Sequence, residues 1–592
     1  MLRLFRARAL LAAMLVGLAG LAFPGPAAAQ QPGTATLVTS SDRITAGEPV
    51  GLSGLIEAAP ECAADRGIDL ERLTPGASWD LVEAGTSDTA GTFSFSLVPE
   101  HSAVYRATAA ATEACAEVVS AEALVTVGVL VQSQLASAVL GAGSCAELSV
   151  TVAPDKTGQV VRIQRARPWG WQTIATLTLG EGSATQASPC FGWGDLGTVH
   201  LRARWPAQDA LNAGGTGPAL SLDVVKARWM RNIDRLTAGR AVSVSVREAG
   251  EFLYRRRDRQ ERIPASNQKL LLSMAVLDGL GPGFRFETRV MGASPARGVV
   301  RGDLWILGRG DPTTGRTHIR RLATKLVEAG VRRVRGSVMG STSYFARDWW
   351  APGWRWYFPT YHVPLPTALT FRGNRTRNGH HVRDPERRAA TYLTRRLEAL
   401  GVRVGGNPGA GRAPGGLSQL AAVRSRLLGE IVRRMNVSSS NFYAEVLGKR
   451  LGVAESGTPG TIAAGAAATE EWAADHGAVV RSYDSSGLSY GNRATAGGVV
   501  RLLGVAEGLP WGGSLWSSLP AGGRGTLEDR LGGVRVRAKT GTLIGVSALS
   551  GYVWLERRAT WAEFSILSTG MSKSAAVRIE DAVVRILSDR AR

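Results

Sequence analysis

From residue 30 to about residue 225 the apolar positions alternate with polar ones over short runs bounded by turn residues. Pro49-Val50-Gly51-Leu52, Thr92-Phe93-Ser94-Phe95-Ser96-Leu97 and Leu124-Val125-Thr126-Val127-Gly128-Val129 are of this kind. A period of two places every second side chain on one face, which predicts half-buried strands rather than helices. Past Lys226 the texture changes. Helical periodicity predicts helices over 270–280, 318–329, 389–400 and 441–451, with strand-like runs over 241–247, 299–308 and 546–555 between them. The chain therefore reads as an all-β part followed by a domain that mixes helices and strands.

The all-β part looks doubled. Trp79 is followed by Val104-Tyr105-Arg106-Ala107 and then by Ala123-Leu124-Val125-Thr126-Val127. Trp171 is followed by Val199-His200-Leu201-Arg202-Ala203 and then by Leu220-Ser221-Leu222-Asp223-Val224. The expectation is two tandem immunoglobulin-like sandwiches, 30–131 and 132–225, acting as spacers or wall-binding modules. Before them, Arg3, Arg6 and Arg8 precede an apolar run from Ala9 to Phe23, then Pro24, Pro26 and Ala27-Ala28-Ala29. That is the layout of a secretory leader over 1–29, cleaved or retained as an anchor. No later stretch is apolar enough for a membrane span.

The four cysteines, Cys62, Cys115, Cys145 and Cys190, all fall in the β part. They allow three pairings. Keeping each pair inside one repeat gives Cys62–Cys115 and Cys145–Cys190, and oxidised pairs belong outside the cytoplasm, so the expectation is an exported protein, whether extracellular, in the cell-wall zone or in the periplasm. The net charge of +21 is carried by 70 basic residues against 49 acidic ones. It suits electrostatic contact with anionic envelope polymers, and equally an Arg-rich composition spread over the whole surface. No Lys/Arg run is long enough to argue for nucleic acid. Of the basic residues only 156, 226, 269, 325, 449, 539 and 573 are Lys, and the other 63 are Arg. A position that stays Lys in such a chain is one where a group able to lose its proton near neutral pH has a use.

Two of those lysines stand in motifs. In Pro264-Ala265-Ser266-Asn267-Gln268-Lys269, a helix starting at Ser266 puts Ser266 and Lys269 on one face, with the positive helix end directed at the serine. A desolvated lysine can take the proton that makes serine a nucleophile. Ser439-Ser440-Asn441 is a serine-rich turn ahead of a helix, and Lys539-Thr540-Gly541-Thr542 follows the strand-like run 534–538. Each alone is weak. The three in this order form the signature of penicillin-recognising serine enzymes.

The gaps narrow the resemblance, with the first two motifs 173 residues apart and the last two 100 apart. The long first gap resembles the D-alanyl-D-alanine carboxypeptidase/endopeptidase family S13, the DacB-like low-molecular-mass penicillin-binding proteins. Gly308-Arg309-Gly310-Asp311-Pro312-Thr313, Ala351-Pro352-Gly353-Trp354, Asp484-Ser485-Ser486-Gly487-Leu488-Ser489 and 545–553 are similar to that family too. The resemblance covers roughly 226–592. It implies an α/β transpeptidase-like domain, an antiparallel sheet flanked by helices, with an inserted subdomain at about 285–420. Ser440 stands where the family often has Asp, and the insertion is shorter than in larger members.

The resemblance also implies roles. Ser266 attacks the carbonyl between two D-alanines of a peptidoglycan stem peptide, and Lys269 is its base. Ser439, with Lys539, passes a proton to the leaving amine, and Asn441 orients the substrate amide. Lys539, Thr540, Gly541 and Thr542 receive the terminal carboxylate, and backbone N–H groups of Ser266 and Thr542 form the oxyanion hole. β-Lactams would acylate the same serine. Competing readings are a β-lactamase or esterase of the same fold, and a non-catalytic wall-binding protein. Gly487-Leu488-Ser489-Tyr490-Gly491 imitates a nucleophile elbow, but no His follows it in the chain. The seven His show no metal-binding spacing, so no metal or other cofactor is expected. The aromatic-rich stretch 345–361 is either a small core or a substrate-stacking surface.

Overall fold

The computed structural model describes residues 30–590, and the leader expected over 1–29 lies outside them. The chain divides into two compact units. The first holds the described residues to Ala138 together with Ala146–Pro189 and Val199–Leu222. The second holds Val139–Cys145, Cys190–Thr198 and everything from Asp223 on.

The first unit is all β. One sheet of Thr34–Thr39, Val50–Glu57 and Thr92–Leu97 and a second of Arg43–Thr45, Ala123–Gly128, Ala103–Ala109, Gly67–Leu73 and Asp80–Thr86 enclose a core of Leu52, Leu70, Phe93, Phe95, Tyr105 and Val125. The alternation in Thr92–Leu97 is literal: Phe93 and Phe95 are buried while Thr92, Ser94 and Ser96 are exposed. A second sandwich follows, with Leu130–Leu135, Leu148–Ala153 and Ala184–Ala187 in one sheet and Val160–Arg167, Gly170–Thr178 and Gly197–Trp205 in another. Val150, Ile163 and Trp205 fill it. Only Val129 separates the last strand of the first sandwich from the first strand of the second. The junction therefore precedes the expected 131/132 boundary, which falls inside the strand Leu130–Leu135.

Both disulfides pair within their halves of the β part, Cys62 with Cys115 and Cys145 with Cys190. The second joins the short strands Ser144–Cys145 and Cys190–Phe191, which group with the second unit.

The second unit is built on a five-stranded antiparallel sheet. Its order is Glu251–Arg256, Val242–Glu248, Thr560–Thr569, Val546–Leu555, Val536–Leu543, so its early and late strands are neighbours. Helices Arg228–Thr237 and Lys573–Arg590 pack together on one face. Ala496–Glu507 packs on the other, beside a helical cluster that includes Gln268–Leu280, Leu428–Ser438, Asn441–Ser456 and Ile462–Asp475. The strand Val546–Leu555 serves both layers by its period of two. Ser547 donates to Glu580 of the last helix, at 2.6 Å. Ser550 and Tyr552, on the opposite face, bond Asn267 and the Leu503 carbonyl at 2.7 and 3.1 Å.

Between Leu280 and Leu428 lies a subdomain with its own core of Val290, Ile306, Leu322, Leu326 and Leu393. Its mixed sheet runs Gly409–Gly411, Val338–Ser341, Leu304–Leu307, Glu287–Gly292, Ser418–Arg424, and the helices Arg316–Glu328 and Pro385–Glu398 contribute to the core. The apolar run 299–308 is not one strand. Gly302, at φ +84°, turns the chain, and Val299–Val300 and Leu304–Leu307 enter separate sheets.

Candidate active site

Ser266 sits in a tight 3-10 turn, Ala265–Asn267, that runs directly into the helix Gln268–Leu280. The regular helix thus begins two residues later than its sequence suggests. Asn267 anchors the turn to the sheet through Ser550, and Gln268 Nε2 donates to Ser482 Oγ at 2.8 Å. Lys269 is fully buried. Its Nζ lies 3.1 Å from Ser266 Oγ and 2.7 Å from Asn441 Oδ1, and also donates to the Ser486 carbonyl. Loss of hydration lowers its pKa to about 8, against the pull of Asp484 and Glu445. A neutral amine here can donate to the two oxygens and keep its lone pair for the Ser266 hydroxyl proton.

The second motif is the turn between two helices. Ser439 closes Leu428–Ser438 in the left-handed region at φ 50°, and Ser440 caps Asn441–Ser456 by accepting from Tyr443 N–H at 3.3 Å. Capping explains how serine serves at a position where Asp is usual, since both are good N-caps. The turn sends Ser439 and Asn441 to different lysines. Lys539 Nζ donates to Ser439 Oγ at 3.0 Å and to the Thr540 carbonyl at 2.8 Å. Burial, and then the charge of Lys269, push the Lys539 pKa well below its ordinary value.

Lys539-Thr540-Gly541-Thr542 lies inside the edge strand Val536–Leu543 rather than after a strand. Thr540 is half-buried and Thr542 exposed. A Cβ on Gly541 would stand 2.8 Å from the Pro264 carbonyl and 3.1 Å from Ser266 N. The glycine is therefore required by the chain's own approach to the serine turn, before any ligand is considered.

Four groups that the sequence did not assign complete the arrangement. The Ser486 carbonyl holds Lys269. Glu445 Oε1 accepts from Ser485 N–H at 3.2 Å and Ser486 N–H at 2.8 Å, fixing that carbonyl, while its buried Oε2 has no protein partner. Burial, then Asp484, raise the Glu445 pKa to about 8. Asp484 accepts from Gly487 N–H, Ser489 N–H, Asn492 Nδ2 and Trp354 Nε1 at 2.7–3.0 Å, which shapes the loop. Gly487, at φ +80°, comes so near that a Cβ would lie 1.9 Å from the Ala265 carbonyl. The sequence signals for this loop were a run dense in turn-forming Asp, Ser and Gly and the similarity of 484–489 to the S13 family, neither of which assigned a role. Ser489 of the imitation elbow is buried and bonds the Pro352 carbonyl at 2.6 Å.

The aromatic stretch divides. Trp354 and Phe358 are core, whereas Trp350, Trp356 and Tyr361 are exposed. It meets the site through the His362 carbonyl, which accepts from Asn441 Nδ2 at 3.3 Å.

The model of the D-Ala-D-Ala carboxypeptidase 3 (S13) family matches residues 227–376 and 360–590. A D-alanyl-D-alanine carboxypeptidase of Actinomadura sp. (strain R39) is 31% identical over 432 residues, covering 58% of this chain and 80% of its own. Carboxypeptidase DacB of Mycolicibacterium smegmatis is 29% identical over 375 residues, 57% of this chain and 78% of its own. Penicillin binding protein 4 of Haemophilus influenzae superposes with a TM-score of 0.53 at 20% identity, over 60% of this chain and 99% of that one, a likeness of fold.

Proposed function

Because the chain belongs to the D-Ala-D-Ala carboxypeptidase 3 (S13) family of serine peptidases, we propose that it is an exported enzyme that removes the terminal D-alanine of peptidoglycan stem peptides. The same chemistry on a cross-link would make it an endopeptidase. The observation that carries the reading is the fully buried Lys269, 3.1 Å from Ser266 Oγ and with its pKa lowered to about 8.

Neutral Lys269 takes the Ser266 proton as Oγ bonds to the carbonyl carbon between the two D-alanines. Backbone N–H groups of Ser266 and Thr542 receive the oxyanion. Ser439, held by Lys539, passes a proton to the leaving amine as the C–N bond breaks. Lys539, Thr540 and Thr542 receive the substrate's terminal carboxylate, and Asn441 both holds Lys269 and orients the substrate amide. Ser439 regains its proton from the Lys269 ammonium, which leaves Lys269 neutral. Water, deprotonated by Lys269, then adds to the acyl carbonyl, and that proton passes to Ser266 Oγ as its bond to the acyl carbon breaks and the product acid leaves. A β-lactam would enter by the same first step and leave slowly.

In this reading 226–592 is the catalytic domain, with its insert at about 285–420. The two sandwiches are immunoglobulin-like spacers or wall-binding modules behind a leader at 1–29. Two disulfides suit an oxidising compartment. Among the described residues no helix is long and apolar enough to cross a membrane.

Intact and peptide mass spectrometry with benzylpenicillin tests the chemistry. One persistent adduct on the Ser266 peptide, absent in Ser266→Ala, together with D-alanine release from a model peptide, is the expected result. Rapid penicillin hydrolysis without an adduct would mean a β-lactamase. Neither adduct nor hydrolysis would leave a wall-binding protein.

A further inference from the structure

Within the inserted subdomain a cavity of about 400 Å³ is lined by Arg316, Arg372, Arg387, Arg388 and Arg395, with Asp384 the one carboxylate. Arginine makes up about one residue in nine of the whole chain, yet it supplies five of the nine residues lining this hollow. Composition alone does not give that concentration. Asp384 offsets only one of the five charges, and its carboxylate is turned to the helix Pro385–Glu398, which it caps by accepting from Arg387 N–H at 3.0 Å. None of the five guanidiniums is ion-paired among the described residues.

Two are instead held against rings, Arg316 over Tyr392 at 6.0 Å and Arg388 over Phe371 at 5.7 Å. Arg388 feels Arg372 and Arg316 as like charges, which, after burial, lower its pKa. In a second arginine-lined cavity, of about 500 Å³, Glu287 instead pairs two of the five arginines directly, Arg289 at 2.6 Å and Arg424 at 3.8 Å.

We propose that this hollow, where five arginines face one carboxylate, is a binding site for a polyanion of repeated phosphate groups, separate from the Ser266 site and independent of the catalytic reading. The five forks come from two helices and a turn. A tetrahedral phosphate offers oxygens to forks arriving from several directions, whereas a planar carboxylate serves forks in its own plane. Several charges in one hollow suit a ligand that repeats its anionic group.

The test compares full-length wild type with Arg316→Ala/Arg372→Ala/Arg388→Ala. Its control, Arg320→Ala/Arg333→Ala/Arg403→Ala, removes the same charge from exposed positions of the same subdomain. Binding of short-chain polyphosphate and of polyglutamate is measured at about 0.15 M salt, where long-range attraction is screened. Circular dichroism and the thermal unfolding midpoint check that each variant is folded. The cavity variant should bind polyphosphate roughly tenfold more weakly, and the control within about twofold of wild type. Equal losses in both variants would overturn the site. Polyglutamate bound as tightly through the same three arginines would overturn the phosphate assignment. Binding to phosphatidylglycerol vesicles but not to polyphosphate would overturn a polymer in favour of a lipid headgroup.

Discussion

At the scale of single residues the site is a matter of protons and of space. In the proposed mechanism Lys269 acts as the neutral amine, and its pKa is lowered to about 8. Raising the pH through that value creates the base, so the acylation rate should rise with pH and level off above about 8. Glu445, raised to about 8, attracts the Lys269 ammonium when ionised. Glu445→Gln removes that attraction, so the midpoint of the pH–acylation profile should move to lower pH. An unmoved midpoint would mean that Glu445 only holds the loop. Gly541→Ala puts a carbon 2.8 Å from the Pro264 carbonyl. It should cut acylation roughly hundredfold in a folded protein, since a displacement near 1 Å is enough for that. The lysines were legible in the chain because they stand out among arginines. The Ser486 carbonyl was not, because every residue has one, and Glu445 stood unassigned in a helical run until the loop at 485–486 was seen to bind it.

At the scale of elements the period of the apolar pattern did most of the work. Helices expected over 270–280, 318–329, 389–400 and 441–451 are Gln268–Leu280, Arg316–Glu328, Pro385–Glu398 and Asn441–Ser456. The ends escaped where local chemistry intervened, through Asp384 capping one helix and a 3-10 turn preceding another. The run 299–308 misled because periodicity is blind to a glycine at positive φ. A further link ties the approach to the Lys539 strand to the last helix. Arg530 bonds Glu580 at 2.7 Å and Asp581 at 2.8 Å, with Glu580 almost wholly buried. Arg530→Ala leaves that buried carboxylate without a counter-charge, held only by the Ser547 hydroxyl, and should destabilise the second unit by about 3 kcal/mol in denaturant titration. Arg530→Met with Glu580→Gln should recover part of the loss.

At the scale of the whole molecule, composition and periodicity separated an all-β part from a mixed part. They could not supply sheet order, which depends on pairings hundreds of residues apart. The Cys62–Cys115 bridge closes a loop of 53 residues in the first sandwich. Cys62→Ala/Cys115→Ala should lower that sandwich's stability by about 2–4 kcal/mol. Acylation at Ser266 should keep its wild-type rate, because the reacting groups all lie in the second unit. The neighbouring of Val242–Glu248 and Thr560–Thr569 in one sheet also sets a clock. At ~5–20 residues per second, the roughly 320 residues between those strands take about 15–65 s to synthesise. The nascent chain carries Ser266 and Lys269 through most of that interval without the strand that closes over them. A hydrolase whose site stays unfinished until Val536–Leu543 arrives has no opportunity to act through the synthesis of the residues before it.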